Sequence, residues 1–380
     1  MSKLLNILII FGTRPEAIKF APLYFKLKKH YNTKICVSAQ HREMLDQVLD
    51  FFEIIPDYDL NIMTANQTLF DVTSKIILSL KNVMDDFKPD LVFVQGDTST
   101  TFIGALAGFY QKIPIAHLEA GLRTYNKYSP FPEEMNRLLT SRLADYHFVP
   151  CQVNKENLIA EGINRNIFIV GNTVIDAMFI GLDIIKNKCE KEYFAFFNFL
   201  DFNKNIILIT GHRRENIGAG FNNICEAIRE LAGKFPNVQF VYPVHLNPLV
   251  QATVNNQLSG ISNVFLIHPL DYPKFIWLMN KAYLIMTDSG GVQEEAPALG
   301  KPVLVTREET ERMEGVMAGT AILVGTDKEK IIVTCSDLLL NQESYNKMSQ
   351  SINPYGDGRA SEKIYDIICS ASTFTTLSQL

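Results

Sequence analysis

Residues able to do chemistry recur in this chain at one kind of position, directly after a short apolar run. In "FGTRPEAIKFAPL", Gly12 permits a tight turn and Pro15 suits the first turn of a helix, which leaves Arg14 and Lys19 able to face an anion. A capped helix with solvated charges explains that segment equally well. "VFVQGDTSTT" ends a run at Asp97, where an N-cap aspartate is the plainer explanation. "IAHLEAGLRT" sets Glu119 beside a glycine turn, and "SPFPEEMNRLLTSRLADYHFV" opens a helix pattern on Glu133 and Glu134. Acidic groups there already complement a helix dipole, so each carboxylate taken singly is ambiguous. Three loops that each offer a carboxylate at the same rim are less easily explained by capping alone.

The second half of the chain is richer in cations. "ILITGHRRENIG" places His212, Arg213 and Arg214 straight after a run, a grouping that neutralises a pyrophosphate. Later runs end in His245 ("YPVHLNP") and His268 ("LIHPLDY"), and lone histidines there are more often packed turn residues. "TREETERMEG" adds Arg307 and Arg312. "YLIMTDSGGVQEEAPALGKPVL" passes from an apolar run through Ser289, Gly290 and Gly291 into an Ala-rich helix pattern. Backbone N–H groups at such a start favour anions, yet Glu294 and Glu295 fall in what the pattern makes its first turn. A nucleotide reconciles the two, with glycine N–H groups for phosphate and a glutamate for ribose hydroxyls. These glycines fit neither G-x-G-x-x-G nor the Walker pattern, which argues against hydride and phosphoryl transfer.

The elements that must position these groups are Val/Ile/Leu-rich runs alternating with helix-length patterns, the signature of parallel sheets with crossover helices. Strands are expected near Ile7–Phe11, Lys34–Ala39, Leu91–Gln95, Ile113–Leu118, His147–Pro150 and Ile167–Val170. Others are expected near Ile206–Thr210, Gln239–Pro243, Val264–Ile267, Leu284–Thr287, Pro302–Val305 and Ala321–Val324. The runs are continuously apolar, as when helices cover both faces of a sheet. Twelve strands are many for one twisted open sheet. The expected α/β fold is therefore two Rossmann-like, doubly wound domains facing a central cleft at the carboxyl ends of both sheets. The boundary is placed at "VGNTVID", giving 1–171 with 360–380 as one domain and 172–359 as the other. The closing helix, near Arg359–Ser370 after the "NPYGDG" turn, is expected to pack back on the first.

Composition narrows the partners. The 380 residues are 47% hydrophobic and 20% charged with a net charge of −5, which argues for a soluble globular protein and against nucleic-acid or anionic-membrane partners. "MSKLLNILIIFGTRPEA" reads as a buried first strand rather than a signal peptide, because its apolar run stops at a turn without a small-residue cleavage site. No run approaches the ~18 apolar residues that span a bilayer. The six cysteines form no close pairs, so neither zinc nor a disulfide framework is indicated, and the cytoplasm is the expected compartment.

Several of these motifs, in this order, carry a resemblance: "FGTRPEAIK", "QGDTSTT", "HLEAGLRT", "PEEMNR", "VGNTVID", "GHRREN", "PVHLNP", "DSGGVQEEAPALGKPVL", "AGTAILVGT" and "NPYGDGRAS". The chain resembles the non-hydrolysing UDP-N-acetylglucosamine 2-epimerases, a family of glycosyltransferase-B-like fold, over nearly its whole length. The resemblance implies a homodimer acting on a UDP-sugar, with no redox cofactor or metal. UDP is eliminated across C1 and C2 to 2-acetamidoglucal and re-added in the opposite configuration. It makes Asp97, Glu119 and Glu133 the acid–base candidates, with the base for the C2 proton left open among them. Arg14, Lys19, His212 and Arg213 would serve the pyrophosphate and the departing charge. Ser289, Gly290 and Gly291 would hold phosphate, Glu295 ribose and Arg312 the nucleotide. Met313 departs from the family's usual Pro in "TERPE".

The resemblance also implies a regulatory second UDP-GlcNAc site drawing on "AQHREMLDQVL", the Asn66-Gln67 pair and the His of "PVHLNP". Gln40, Gln67, Arg213 and His245 match that site, whereas Glu43 stands for the usual Gln and Asn66 for Arg, which implies weaker activation. Close rivals are an epimerase for another UDP-sugar, such as a 2,3-diacetamido-uronate, and a hydrolysing relative. A glycosyltransferase would need an acceptor, and a nucleotide-sugar sensor would not need three carboxylates.

Overall fold

A computed structural model describes residues 4–39, 42–64, 66–211, 213, 216 and 218–370. These divide into two compact units, residues 4–177 with 355–370, and residues 178–354. The boundaries expected from sequence, after 171 and before 360, both fall inside the first unit. Hydrogen bonds explain the difference. The Asn172 N–H donates to the Tyr355 carbonyl at 2.7 Å, and the buried Asp176 carboxylate accepts the N–H groups of Ala360 (3.2 Å) and Ser361 (2.8 Å). Residues 172–177 and 355–359 are thereby stitched to the first unit.

The first unit holds strands β1 (Asn6–Phe11), β2 (Asn32–Val37), β3 (Tyr58–Asp59), β4 (Leu91–Gln95), β5 (Ile115–Leu118), β6 (Tyr146–Val149) and β7 (Ile167–Ile169). All pair in parallel, in the order β3-β2-β1-β4-β5-β6-β7. Two-residue β3 has no counterpart among the expected strands, since two residues make no apolar run. Ile7 to Phe11 and Leu91 to Val94 are almost fully buried, and on one sheet face Leu8, Ile10, Val92 and Val94 pack with Ile76, Leu80, Ile103 and Ile115. Each such side chain stabilises the fold by roughly 1.5–3 kcal/mol. Helix Arg14–Leu27 starts in a capping box between Thr13 and Glu16, with Pro15 in its first turn. The closing helix, Ala360–Ser370, belongs to this unit and pairs Glu362 with Lys26 at 3.7 Å.

The second unit contains β8 (Ile206–Thr210), β9 (Gln239–Pro243), β10 (Val264–Ile267), β11 (Leu284–Thr287), β12 (Val303–Val305) and β13 (Ala321–Leu323), again parallel, in the order β10-β9-β8-β11-β12-β13. Strand order reverses beside β1 in one sheet and beside β8 in the other. Loops leaving the carboxyl ends of β1 and β4, and of β8 and β11, therefore diverge and open a crevice in each unit, the usual ligand position of such sheets.

Candidate active site

In the first unit, three expected carboxylates sit on the elements after β4 and β5. Asp97 follows Gly96 in the turn closing β4, but it does not cap the next helix. Thr98 does, its hydroxyl accepting the Thr101 N–H at 3.1 Å. Asp97 instead faces Arg137 of helix Glu133–Leu143, whose Nη2 and Nε lie 2.7 and 2.9 Å from Oδ2. Burial pushes the Asp97 carboxyl above the usual aspartate range. Arg137 and Lys19 oppose that shift and the neighbouring Glu119 charge adds to it.

Glu119, just past β5, has φ +57, a left-handed conformation uncommon for any residue but glycine. Such backbone strain clusters at functional positions. Its Oε2 accepts from Lys19 Nζ at 2.5 Å and from Gln95 Nε2, and its Oε1 from Asn172 Nδ2 at 3.4 Å. Lys19 thus pairs with a carboxylate, while Arg14, at the start of its helix, has no ion-pair partner among the described residues. Glu133 opens its helix with Oε2 buried and without a hydrogen-bond partner among the described residues. Its neighbour Glu134 is committed elsewhere. It accepts the N–H groups of Thr124 and Tyr125 at 3.0–3.1 Å and Arg137 Nη1 at 3.0 Å, fixing the loop that leads into the helix.

In the second unit, the β8 and β11 loops are tied together. The Arg213 N–H donates to buried Asp288 at 2.8 Å, and its guanidinium has no ion-pair partner among the described residues. Ser289 precedes the short helix Gly290–Glu295, with its own N–H held by the Thr287 hydroxyl at 2.9 Å. Gly290 and Gly291 then present N–H groups that no preceding turn can satisfy. A β-carbon on Gly290 would lie 3.3 Å from Arg312 Cζ, so the guanidinium crosses the helix start in space that glycine leaves open. Arg312 Nε donates to Glu294 at 2.9 Å.

Glu294 and Glu295 therefore occupy the second turn of this helix, not the first, which Gly290 to Gln293 fill. Glu294 holds the cation that faces the glycines. Buried Glu295 lies by Gly291 and, after burial itself, adds to the raised pKa of the Tyr272 hydroxyl. Burial would raise Glu311, but Arg307 at 2.8 Å and Arg312 bring it down to about 2. Met313, at the first position of helix Met313–Met317, leaves Arg312 at the N-cap and bonded to Glu294.

The sequence matches the family described as UDP-N-acetylglucosamine 2-epimerase over residues 25–369. The chain belongs to this family. A Campylobacter jejuni UDP-N-acetylglucosamine 2-epimerase is 55% identical over 371 residues, which cover 96% of this chain and 97% of the relative. The crystal structure of a Neisseria meningitidis UDP-GlcNAc 2-epimerase bound to UDP-GlcNAc is 52% identical, with a TM-score of 0.87 over 96% of this chain and 100% of that one. At 12% identity, a Thermosynechococcus elongatus sucrose-phosphate synthase still reaches a TM-score of 0.65 over 97% and 99% of the two chains, a likeness of fold alone. The two doubly wound sheets are thus glycosyltransferase-B-like.

Among the residues that the epimerase resemblance assigns, His212 and Gln40 lie outside the described residues, as does Arg214. Glu43 is exposed in the first turn of helix Arg42–Phe51. Gln67 donates Nε2 to the Ile62 carbonyl at 2.6 Å, with Oε1 buried and without a hydrogen-bond partner among the described residues. His245 is exposed past β9, its Nδ1 accepting the Asn247 N–H at 3.1 Å. Among the described residues no group of three or more His, Cys, Asp or Glu could hold a metal, and no helix is long and apolar enough to cross a membrane.

Sequence reasoning passed over Gln95, Arg137 and Asn172. Only Arg137 carried a signal, standing three residues after Glu134 on a helix and so on the same face.

Proposed function

We propose that this epimerase-family protein interconverts UDP-N-acetylglucosamine and UDP-N-acetylmannosamine without net hydrolysis and supplies ManNAc-derived surface polysaccharide. The base takes the C2 proton, and the C–H electrons form the C1–C2 double bond. The C1–O bond breaks and UDP leaves with that electron pair. Re-addition of UDP with protonation from the other face of C2 gives the epimer. The observation that carries this reading is the Asp97–Glu119 pair. Two carboxylates from neighbouring strand ends interact, one with raised proton affinity and one held by a lysine and two amides. Environments that push paired titratable groups apart divide acid from base roles. Glu133 is the third candidate, and its buried, unpartnered oxygen is suited to meeting a substrate proton.

The second unit supplies nucleotide binding in this proposal. Glycine N–H groups and Arg312 take phosphate, Glu295 takes ribose, and Arg213 and His212 meet the charge of departing UDP; the family resemblance gives Arg14, of the first unit, the same role. The Neisseria relative bound to UDP-GlcNAc supports that substrate class. Phosphorus NMR of the full-length protein with UDP-GlcNAc tests the reading. UDP-ManNAc should accumulate to a constant ratio with little free UDP. Steady, stoichiometric release of UDP would instead identify a hydrolysing enzyme.

Two proposals from the family resemblance accompany this one. The protein forms a homodimer, which light scattering checks. Activation by UDP-GlcNAc is weakened, because Glu43 adds a carboxylate and Asn66 lacks a cation where a second pyrophosphate would bind. One lost charge-assisted contact, roughly 1.5–3 kcal/mol, already exceeds a tenfold change. An absolute requirement for micromolar UDP-GlcNAc in the reverse reaction would contradict it.

A further inference from the structure

The carboxylate of Glu16 takes no part in the steps above, yet it is one of the most heavily bonded groups in the first unit. It is 3% exposed in the first turn of helix Arg14–Leu27. Its Oε2 accepts the N–H groups of Gly12 (3.0 Å) and Thr13 (2.8 Å) and the Thr13 hydroxyl (2.7 Å). Its Oε1 accepts the Thr98 hydroxyl at 2.8 Å and lies 3.0 Å from the Thr101 hydroxyl, which is itself 2.6 Å from the Gln95 carbonyl. Glu16 has no ion-pair partner among the described residues. A buried carboxylate without a cation is costly, and neutral donors alone offset that cost here.

The bonds join two loops that carry site residues. One leaves β1 and leads to Arg14 and Lys19; the other leaves β4 and carries Asp97, the residue before Thr98. On its far side the Asp97 turn is held by His117, whose Nε2–H donates to the Gly96 carbonyl at 2.8 Å. We propose that Glu16 is a positioning residue, setting the Asp97 turn in register with the Arg14–Lys19 segment. The inference rests on the acid–base reading of Asp97 given above. Displacing a reacting group by about 1 Å costs on the order of 100-fold in rate, so a loop anchor acts chiefly on turnover.

The test compares turnover with fold in the full-length protein. Glu16→Ala should lower kcat about 30-fold or more, with UDP affinity within about threefold of wild type. Glu16→Gln should stay within about fivefold, because its amide can still accept from Gly12 and Thr13 and donate to the Thr98 and Thr101 hydroxyls. Asp327→Ala removes the N-cap of helix Lys328–Leu340 in the second unit and calibrates what a loss of stability alone does to kcat. If Glu16→Ala does not fold, Thr98→Val against Thr98→Ser decides, with only the valine expected to lose tenfold or more. The proposal is overturned if Glu16→Ala keeps kcat within threefold, if glutamine is no better than alanine, or if valine and serine at position 98 are alike. Wild-type protein inactive on UDP-GlcNAc would overturn the epimerase reading itself.

Discussion

At the scale of single residues, the proposed chemistry rests on three carboxylates, of which Asp97 is raised by burial. Replacing Asp97, Glu119 or Glu133 with its amide should lower kcat by about 10²–10⁴-fold while leaving UDP affinity nearly unchanged in calorimetric titration. Losses under about tenfold for all three would contradict the assignment. Arg137→Gln separates charge from presence. Burial and Glu119 raise Asp97 and Arg137 opposes them, so without the arginine the carboxyl should rise further. The acid limb of the kcat/KM profile should then move to higher pH, and an unmoved or lowered limb would count against Asp97 as the titrating group. Asp97, Glu119 and Glu133 were legible in the sequence because each directly follows an apolar run or opens a helix pattern. Gln95 and Asn172 were not, since their partner Glu119 lies far along the chain. Of the Glu16 bonds only the local capping box with Thr13 was legible, those to Thr98 and Thr101 depending on strand order. Gln95, for instance, meets Glu119 because β4 and β5 pair.

At the scale of elements, the strands were readable because helices cover both sheet faces, which leaves uninterrupted apolar runs. The proposed nucleotide loop was harder. Its helix lasts only from Gly290 to Glu295 before a 3₁₀ turn, Ala296–Leu299, takes over. A single helical period drawn across both segments hides which turn Glu294 and Glu295 occupy. The close approach of Arg312 to Gly290 gives this element its own test. In Gly290→Ala the new methyl group would meet the guanidinium at 3.3 Å, and the flexible arginine would yield before the backbone. UDP affinity should fall about tenfold or more, as for one lost charge-assisted contact, with little change in melting temperature. An unchanged Kd would show that Arg312 does not serve the phosphate from this position.

At the scale of the whole molecule, strand count alone pointed to two sheets, whereas the boundary between the units carried no compositional mark because it runs through helix Thr173–Lys188. Stability against pH is also a property of this scale. Burial lowers His117 from 6.5 to about 3 and lowers His147 beside it on β6. Both are neutral in the fold, while the unfolded chain binds protons there below about pH 6.5, so their contribution is lost as pH falls from 7 toward 3. His117→Asn should therefore show a shallower fall in unfolding free energy between pH 7 and 5.5 than wild type, measured by urea denaturation; an identical slope would mean His117 is protonated in the fold. The claim on which everything else depends is proton abstraction at C2. Proton NMR of the full-length protein with UDP-GlcNAc in deuterated water reads it directly. The C2 proton signal should vanish from UDP-GlcNAc and be absent from the UDP-ManNAc formed, whereas UDP-ManNAc that retains its C2 proton, or no exchange at all, would contradict the elimination chemistry.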